Sequence, residues 1–192
     1  MAKQLEEYLR TALASIGDAV ISTDGEGRIV FVNKVALSLL RAPEADVKGK
    51  HIDEIFNIQN EFTRRKVESP LAKVLGDGIT VGLANHTVLV AQDGTEIPID
   101  DSAAPIRGDE GALQGAVLVF RDITARRKAE LTQRLLADIV ESSDDAIISK
   151  DVNGIITSWN KGAERIFGYS AEEMIGKPIA VITAPKWART HR

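Results

Sequence analysis

Asp18-Ala19-Val20-Ile21-Ser22 and Asp145-Ala146-Ile147-Ile148-Ser149 are one phrase written twice in the same chain. The offset of 127 residues also brings Asp24 onto Asp151, Gly27 onto Gly154, Asn33 onto Asn160, Lys34 onto Lys161 and Ala36 onto Ala163 without a gap. The register still holds at Gly49-Lys50 and Gly176-Lys177, at Ile52 and Ile179, and at Ile55 and Ile182. A repeat sustained over this distance signals two copies of one folding unit. The first copy runs at least from Asp18 to Thr124, whereas the second has only Asp145 to Arg192, so it is expected to be cut short. The chain therefore divides into an N-terminal helix at 1–16, a complete domain at 17–124, a helical linker at 125–141 and the first half of a second domain at 142–192.

Within the first copy, Ala19 to Thr23 and Ile29 to Val32 are β-branched runs around Asp24-Gly25-Glu26-Gly27, which reads as a hairpin. A phosphate-cradling loop needs a helix to open directly after its glycines, and here a strand follows. Asn33 is placed to cap a helix over Lys34 to Leu40, with Val35, Leu39 and Leu40 on one stripe. Short helical turns are expected at Pro43 to Asp46, His51 to Phe56 and Pro70 to Leu75. From Ile79 the pattern becomes extended: Ile79 to Ala91, Thr95 to Ile106 and Leu113 to Ile123, separated by Gln92-Asp93-Gly94 and by the turn from Arg107 to Gly111. Two strands, small helices and a three-strand meander describe an α+β domain with helices on one face of one sheet.

Composition narrows the function. Of 192 residues, 44% are apolar and 27% charged, enough to bury a core, and the net charge of −4 offers no basic footprint for nucleic acid. No apolar run approaches the roughly 18 residues of a membrane span, and Met1–Gln4 does not open a signal peptide, so no membrane contact and a cytoplasmic location are expected. The chain has no cysteine, which excludes disulfides, thiolate nucleophiles and Cys-ligated metal. Nor does it carry His-Glu-x-x-His, Gly-x-Ser-x-Gly or a phosphate loop, and the acidic pairs Asp100-Asp101 and Asp144-Asp145 have diverging side chains, so an enzyme is not expected.

Together, Asp18 to Asp24, Gly27-Arg28-Ile29, Asn33, Gly49-Lys50, Asp93-Gly94-Thr95-Glu96 and Phe120-Arg121-Asp122-Ile123-Thr124 resemble the PAS family of sensor domains. The second copy resembles it independently through Ile155 to Asn160, Ala163 to Tyr169 and Met174 to Lys177. The resemblance implies a five-stranded antiparallel sheet that holds a small molecule or a partner subunit and passes a signal along flanking helices. It also implies a parent that is a multidomain bacterial sensor, most often a histidine kinase and sometimes a diguanylate cyclase.

The cofactor stays unknown, but three kinds are disfavoured. Flavin members that form a cysteinyl adduct, and hydroxycinnamoyl members, need a thiol that is missing. Haem-binding members use a histidine on the helix before the third strand, and Arg64 to Leu71 contains none. His51 and His86 lie on either side of that stretch and read as structural, and His191 belongs to the tail. By strand parity Ile97, Ile99, Asp101 and Ala103 share one face, which the resemblance turns toward the pocket. Asn85 joins them if its parity follows Val81 and Leu83, although Val88 and Val90 shift phase and suggest a bulge between. Asp101 and Asn85 could hold a polar ligand, or could make a satisfied structural bond, for instance to a strand backbone or to His86, and both uses stay open here.

Leu118 and Phe120 are expected on the pocket side, with Val117 and Val119 on the other. An apolar second face needs a cover, from the helix of Leu5, Leu9, Ala12, Leu13 and Ile16 or from a partner, and a homodimer through the flanking helices and sheet face is expected. At the exit, Thr124 is placed to cap a helix from Ala125. Arg126, Arg127 and Lys128 read as a solvated basic turn, while the resemblance implies that Asp122 pairs with a linker charge such as Arg126 or Arg127 as a signal relay. Leu131, Leu135 and Ile139, with Leu136 and Val140 beside them, give that helix an apolar stripe.

Overall fold

The structure is a computed structural model that describes residues 17–82, 86–108 and 111–183. The expected helix at 1–16, Asn85 and His191 therefore lie outside the described residues. The chain forms two compact units that divide between Arg126 and Arg127.

In the first unit the repeated phrase becomes strand β1 (Ala19–Asp24), which turns back into β2 (Ile29–Val32). Asp24 closes the turn by accepting the N–H groups of Glu26 at 3.0 Å and Arg28 at 2.9 Å. Gly27 sits there at φ 78°, and a Cβ on it would lie 2.7 Å from His51 Nε2, so a larger residue is shut out twice over. Asn33 then caps helix α1 (Lys34–Leu40) through the Ala36 N–H at 2.9 Å. The same Oδ1 accepts the Val20 N–H at 3.0 Å, and Nδ2 donates to the Asp18 carbonyl at 2.8 Å, so one amide ties strand, turn and helix together.

Helices α2 (Glu44–Val47) and α3 (Ile52–Ile55), strand β3 (Ile58–Asn60) and helix α4 (Pro70–Asp77) follow. Ser69 caps α4, Pro70 stands in its first turn where no N–H is missed, and Gly78 ends it at φ 67°. Strands β4 (Val81–Gly82), β5 (Thr87–Val90), β6 (Glu96–Arg107) and β7 (Leu113–Asp122) complete an antiparallel sheet in the order β2-β1-β7-β6-β5-β3, with β4 also on β6. The expected class, α+β with one antiparallel sheet, is what the chain adopts.

The expected strand from Ile79 to Ala91 is instead two short ones. Gly82 faces Ser102 while Val88 faces Pro98, so six residue steps on one side oppose four on the other. Strand β3 adds an edge that no alternation announces, because three residues are too few to show a period.

The core lies between the sheet and the helices. Ala19, Ile21, Leu118 and Phe120 from the central strands meet Ala36, Leu40, Ile52, Leu71 and Val74 from the helices, all essentially inaccessible. On the opposite sheet face Val117 and Val119 are half-buried and Val20, which is in register with Val119, is fully buried.

Helix α5 (Thr124–Ser142) begins two residues after β7 ends and belongs mainly to the second unit. That unit repeats the opening motif as β8 (Ile148–Lys150), β9 (Ile156–Trp159), α6 (Lys161–Phe167), α7 (Ala171–Met174) and α8 (Ala180–Thr183). Asp151 closes its hairpin by accepting from Asn153 and Ile155, and Asn160 caps α6. Its core is small: Ile156, Trp159, Ala163 and Met174.

Candidate functional site

Strand β6 places Ile97, Ile99 and Ala103 on the core side, each at most 8% exposed, and both carboxylate oxygens of Asp101 are buried among them. Asp101 stands opposite Phe120 in the ladder, and Ala103 opposite Leu118. Phe120 in turn lies against Phe56, with ring centroids 5.1 Å apart and planes tilted by 58°. Period-two reasoning thus brought Ile99, Asp101, Leu118 and Phe120 onto one surface, and put Val117 and Val119 on the other.

The two described histidines sit elsewhere. His51 caps α3, with Nδ1 accepting the Asp53 N–H at 3.4 Å, and its ring lies over Gly27. His86, at φ 73°, stacks on exposed Phe62 with centroids 4.9 Å apart and has Glu61 beside it at 3.7 Å. Both read as local structural groups. Among the described residues no cluster of three or more His, Cys, Asp or Glu is placed to hold a metal ion.

At the end of β7 the geometry corrects one expectation. Thr124 is the first residue of α5 and not its cap; the Asp122 carboxylate accepts the Thr124 N–H at 2.7 Å. The reason is that the chain stays pinned to the sheet for one residue longer, since Ile123 N–H donates to the Pro98 carbonyl at 3.0 Å. The first free helical amide then falls beside the Asp122 side chain. Asp122 also stands opposite Ile99, so the inner face and the helix start are adjacent in the ladder. Arg126 follows within the first turn of α5.

One neighbouring contact was missed from sequence. Arg121 forms a two-point ion pair with Asp18, at 2.6 and 2.8 Å, tying the last strand to the first. The Arg121 hydrogen bonds hold the Asp18 carboxyl below its ordinary range, against a smaller opposing effect of burial. Outward parity for Arg121 beside inward Phe120 was the available signal, but the partner lies 103 residues away in sequence.

Along α5, Leu131, Leu135, Leu136 and Ile139 are each more than half exposed, and no residue of the helix is fully buried. Among the described residues nothing buries the apolar side of this 19-residue amphipathic helix.

A single antiparallel sheet with helices on one face, closed by a last strand that feeds directly into a helix, defines the α+β fold of the first unit. Residues 17–125 match the PAS domain model and residues 134–186 the PAS fold model, and the chain belongs to the PAS domain family, with two copies in tandem. No catalytic domain is identified in these matches. The chain is 22% identical over 158 residues to the sensor protein kinase WalK of Staphylococcus aureus, covering 82% of this chain and 33% of that protein. Against WalK of strain JH9 the identity is again 22%, with 22% of that protein covered, so the chain spans a third or less of these curated relatives. Among solved structures it is similar to an RNA-binding light-oxygen-voltage receptor (TM-score 0.52, 18% identity, 72% of this chain, 39% of that one). It is also similar to a PAS domain from Colwellia psychrerythraea (TM-score 0.49, 20% identity, 63% and 98%). At these identities the likeness is one of fold. No described helix is long and apolar enough to cross a membrane.

Proposed function

We propose that this chain is the sensory segment of a multidomain signalling protein of the histidine kinase type, in which the first PAS domain takes up a small ligand or a partner and passes the change into α5. The observation that carries this reading is the junction at Asp122, whose carboxylate joins the end of β7 to the first amide of α5 at 2.7 Å. Ile99, Asp101, Leu118 and Phe120 form the ligand-facing surface. Asp122, Thr124 and Arg126 form the relay: a shift of β6 against β7 moves Asp122, which moves the helix start. A second copy of this chain covers Leu131, Leu135 and Ile139, making the sensor a homodimer.

The test is Asp122→Ala in the full-length sensor. Output should lock in one state while the melting temperature moves by only a few degrees, because an exposed cap contributes about 1 kcal/mol. Output that still responds sinks the relay, and a large melting shift assigns Asp122 to the fold.

A second reading is a dimerisation module with a filled core and no ligand. It is favoured by the closed packing of Phe120 on Phe56, with Phe120 and Leu118 at most 1% exposed. Native mass spectrometry of the purified protein separates the two: a bound small molecule supports the sensor, and bare protein under all loading conditions supports the module.

A further inference from the structure

Asn160 is 1% exposed and engages both ends of its amide. Oδ1 accepts the N–H groups of Ile147 and Ala163, each at 2.9 Å, which fixes the approach to β8 and caps α6. Nδ2 donates to the carbonyl of Asp145 at 3.0 Å and to that of Val140 at 2.7 Å. The second acceptor lies in the last turn of α5, where carbonyls have no partner within the helix. A second tie comes from Arg165, on the same helix α6, whose terminal nitrogen donates to the Ser143 carbonyl and the Asp144 carboxylate, both at 2.9 Å. Between them Gly162 leaves no room: a Cβ there would fall 2.1 Å from the Asp145 oxygen and 2.8 Å from that of Ser143.

We propose that Asn160 is a positioning residue that locks the C-terminal end of α5 to the N-terminus of α6, so that movement of the linker helix enters the second PAS unit instead of being absorbed in Ser143–Asp145. A buried amide that donates to the helix end and accepts from two amides of the unit cannot release one without disturbing the other. Gly162 keeps the connecting segment in contact, and Arg165 prevents it from swinging away. The lock rests on these contacts; its use in signalling rests on the relay reading above.

The discriminating variant is Asn160→Asp in the full 192-residue chain. Aspartate keeps both acceptor bonds to Ile147 and Ala163 but cannot donate to Val140 or Asp145. Amide exchange of residues 141–146 should accelerate about tenfold or more, since both Nδ2 hydrogen bonds are lost, while Ile147 and Ala163 keep their protection. The cysteine-free chain also permits clean spin labelling at Arg134→Cys and Val152→Cys, with labelled chains diluted in unlabelled ones. The distance distribution between them should broaden in Asn160→Asp, less in Arg165→Met, and most in the double variant. Unchanged exchange and distances overturn the lock. So does protection lost equally at Ile147 and Ala163, which assigns Asn160 to the fold of its own unit. The relay fails on a different readout, the output of Asp122→Ala, so the two failures cannot be confused.

Discussion

Ile21 and Ile148 occupy the same place in the repeated phrase, yet Ile21 is fully buried and Ile148 only half-buried. The same split separates Val20 at 1% from Ile147 at 37%, and Leu40 at 1% from Phe167 at 38%. The local devices are identical in the two units: an aspartate closes the hairpin, and an asparagine caps the helix through the third residue on. What differs is the sheet. Strand β1 has β2 on one side and β7 on the other, whereas among the described residues β8 pairs with β9 alone. Turn chemistry and capping therefore set the shape of the opening motif, and strands from far along the chain supply its burial.

The largest effect should come from Phe120→Ala, which empties a buried aromatic site and costs the first unit about 3–5 kcal/mol. Both tryptophans, Trp159 and Trp187, lie in the second half of the chain, so fluorescence follows the second unit while circular dichroism follows both. The dichroism transition in urea should move to lower denaturant and the fluorescence transition stay; joint movement would show one cooperative block and break the comparison.

Hydrogen exchange sharpens it without mutation. Amides of β6 and β7 should exchange only through global opening, and those of β8 and β9 on the order of a thousandfold faster through local opening. Equal protection would mean that something covers β8.

Asn33→Ala should cost the first unit about 2 kcal/mol, because it strands the buried amides of Val20 and Ala36. The same change at Asn160 should abolish the fluorescence transition altogether, since the second unit has less core to spare. Urea titrations of both variants check this.

The smallest effect concerns acid. Arg121 depresses the Asp18 carboxyl, so the folded chain binds that proton less readily than the unfolded one. The contribution is present above the ordinary carboxylate range and is lost as pH falls through the depressed value. Asp18→Asn should lower the urea midpoint slightly at pH 7 and leave it unchanged near pH 2, with Asp145→Asn as the matched control in the second unit.

Much of this was legible because it is local. The hairpin at Asp24–Gly27, the Asn33 cap, the face shared by Ile99, Asp101 and Ala103, and the two-sided character of β7 all follow from residues within a few positions of one another. Three features were not. Strand β3 exists because β5 offers it an edge. Thr124 looked like the cap because its type suits one, but the Ile123 bond to Pro98 moved the helix start and handed the role to Asp122. Arg121 found Asp18 only once the sheet had brought the two ends of the domain together.

The pairing of Ala19 with Phe120 has a consequence for how the protein is made. At synthesis rates of roughly 5–20 residues per second, β1 waits on the order of 5–20 s at the ribosome before β7 emerges to fill the gap beside it. During that interval the hairpin carries an open edge, and the domain cannot close. Strand β8 repeats part of the β1 phrase over three residues and is translated after β7. Vectorial synthesis thus lets β7 meet β1 first, while a chain diluted from denaturant meets both strands at once and should give strand-swapped species more often than the nascent chain does.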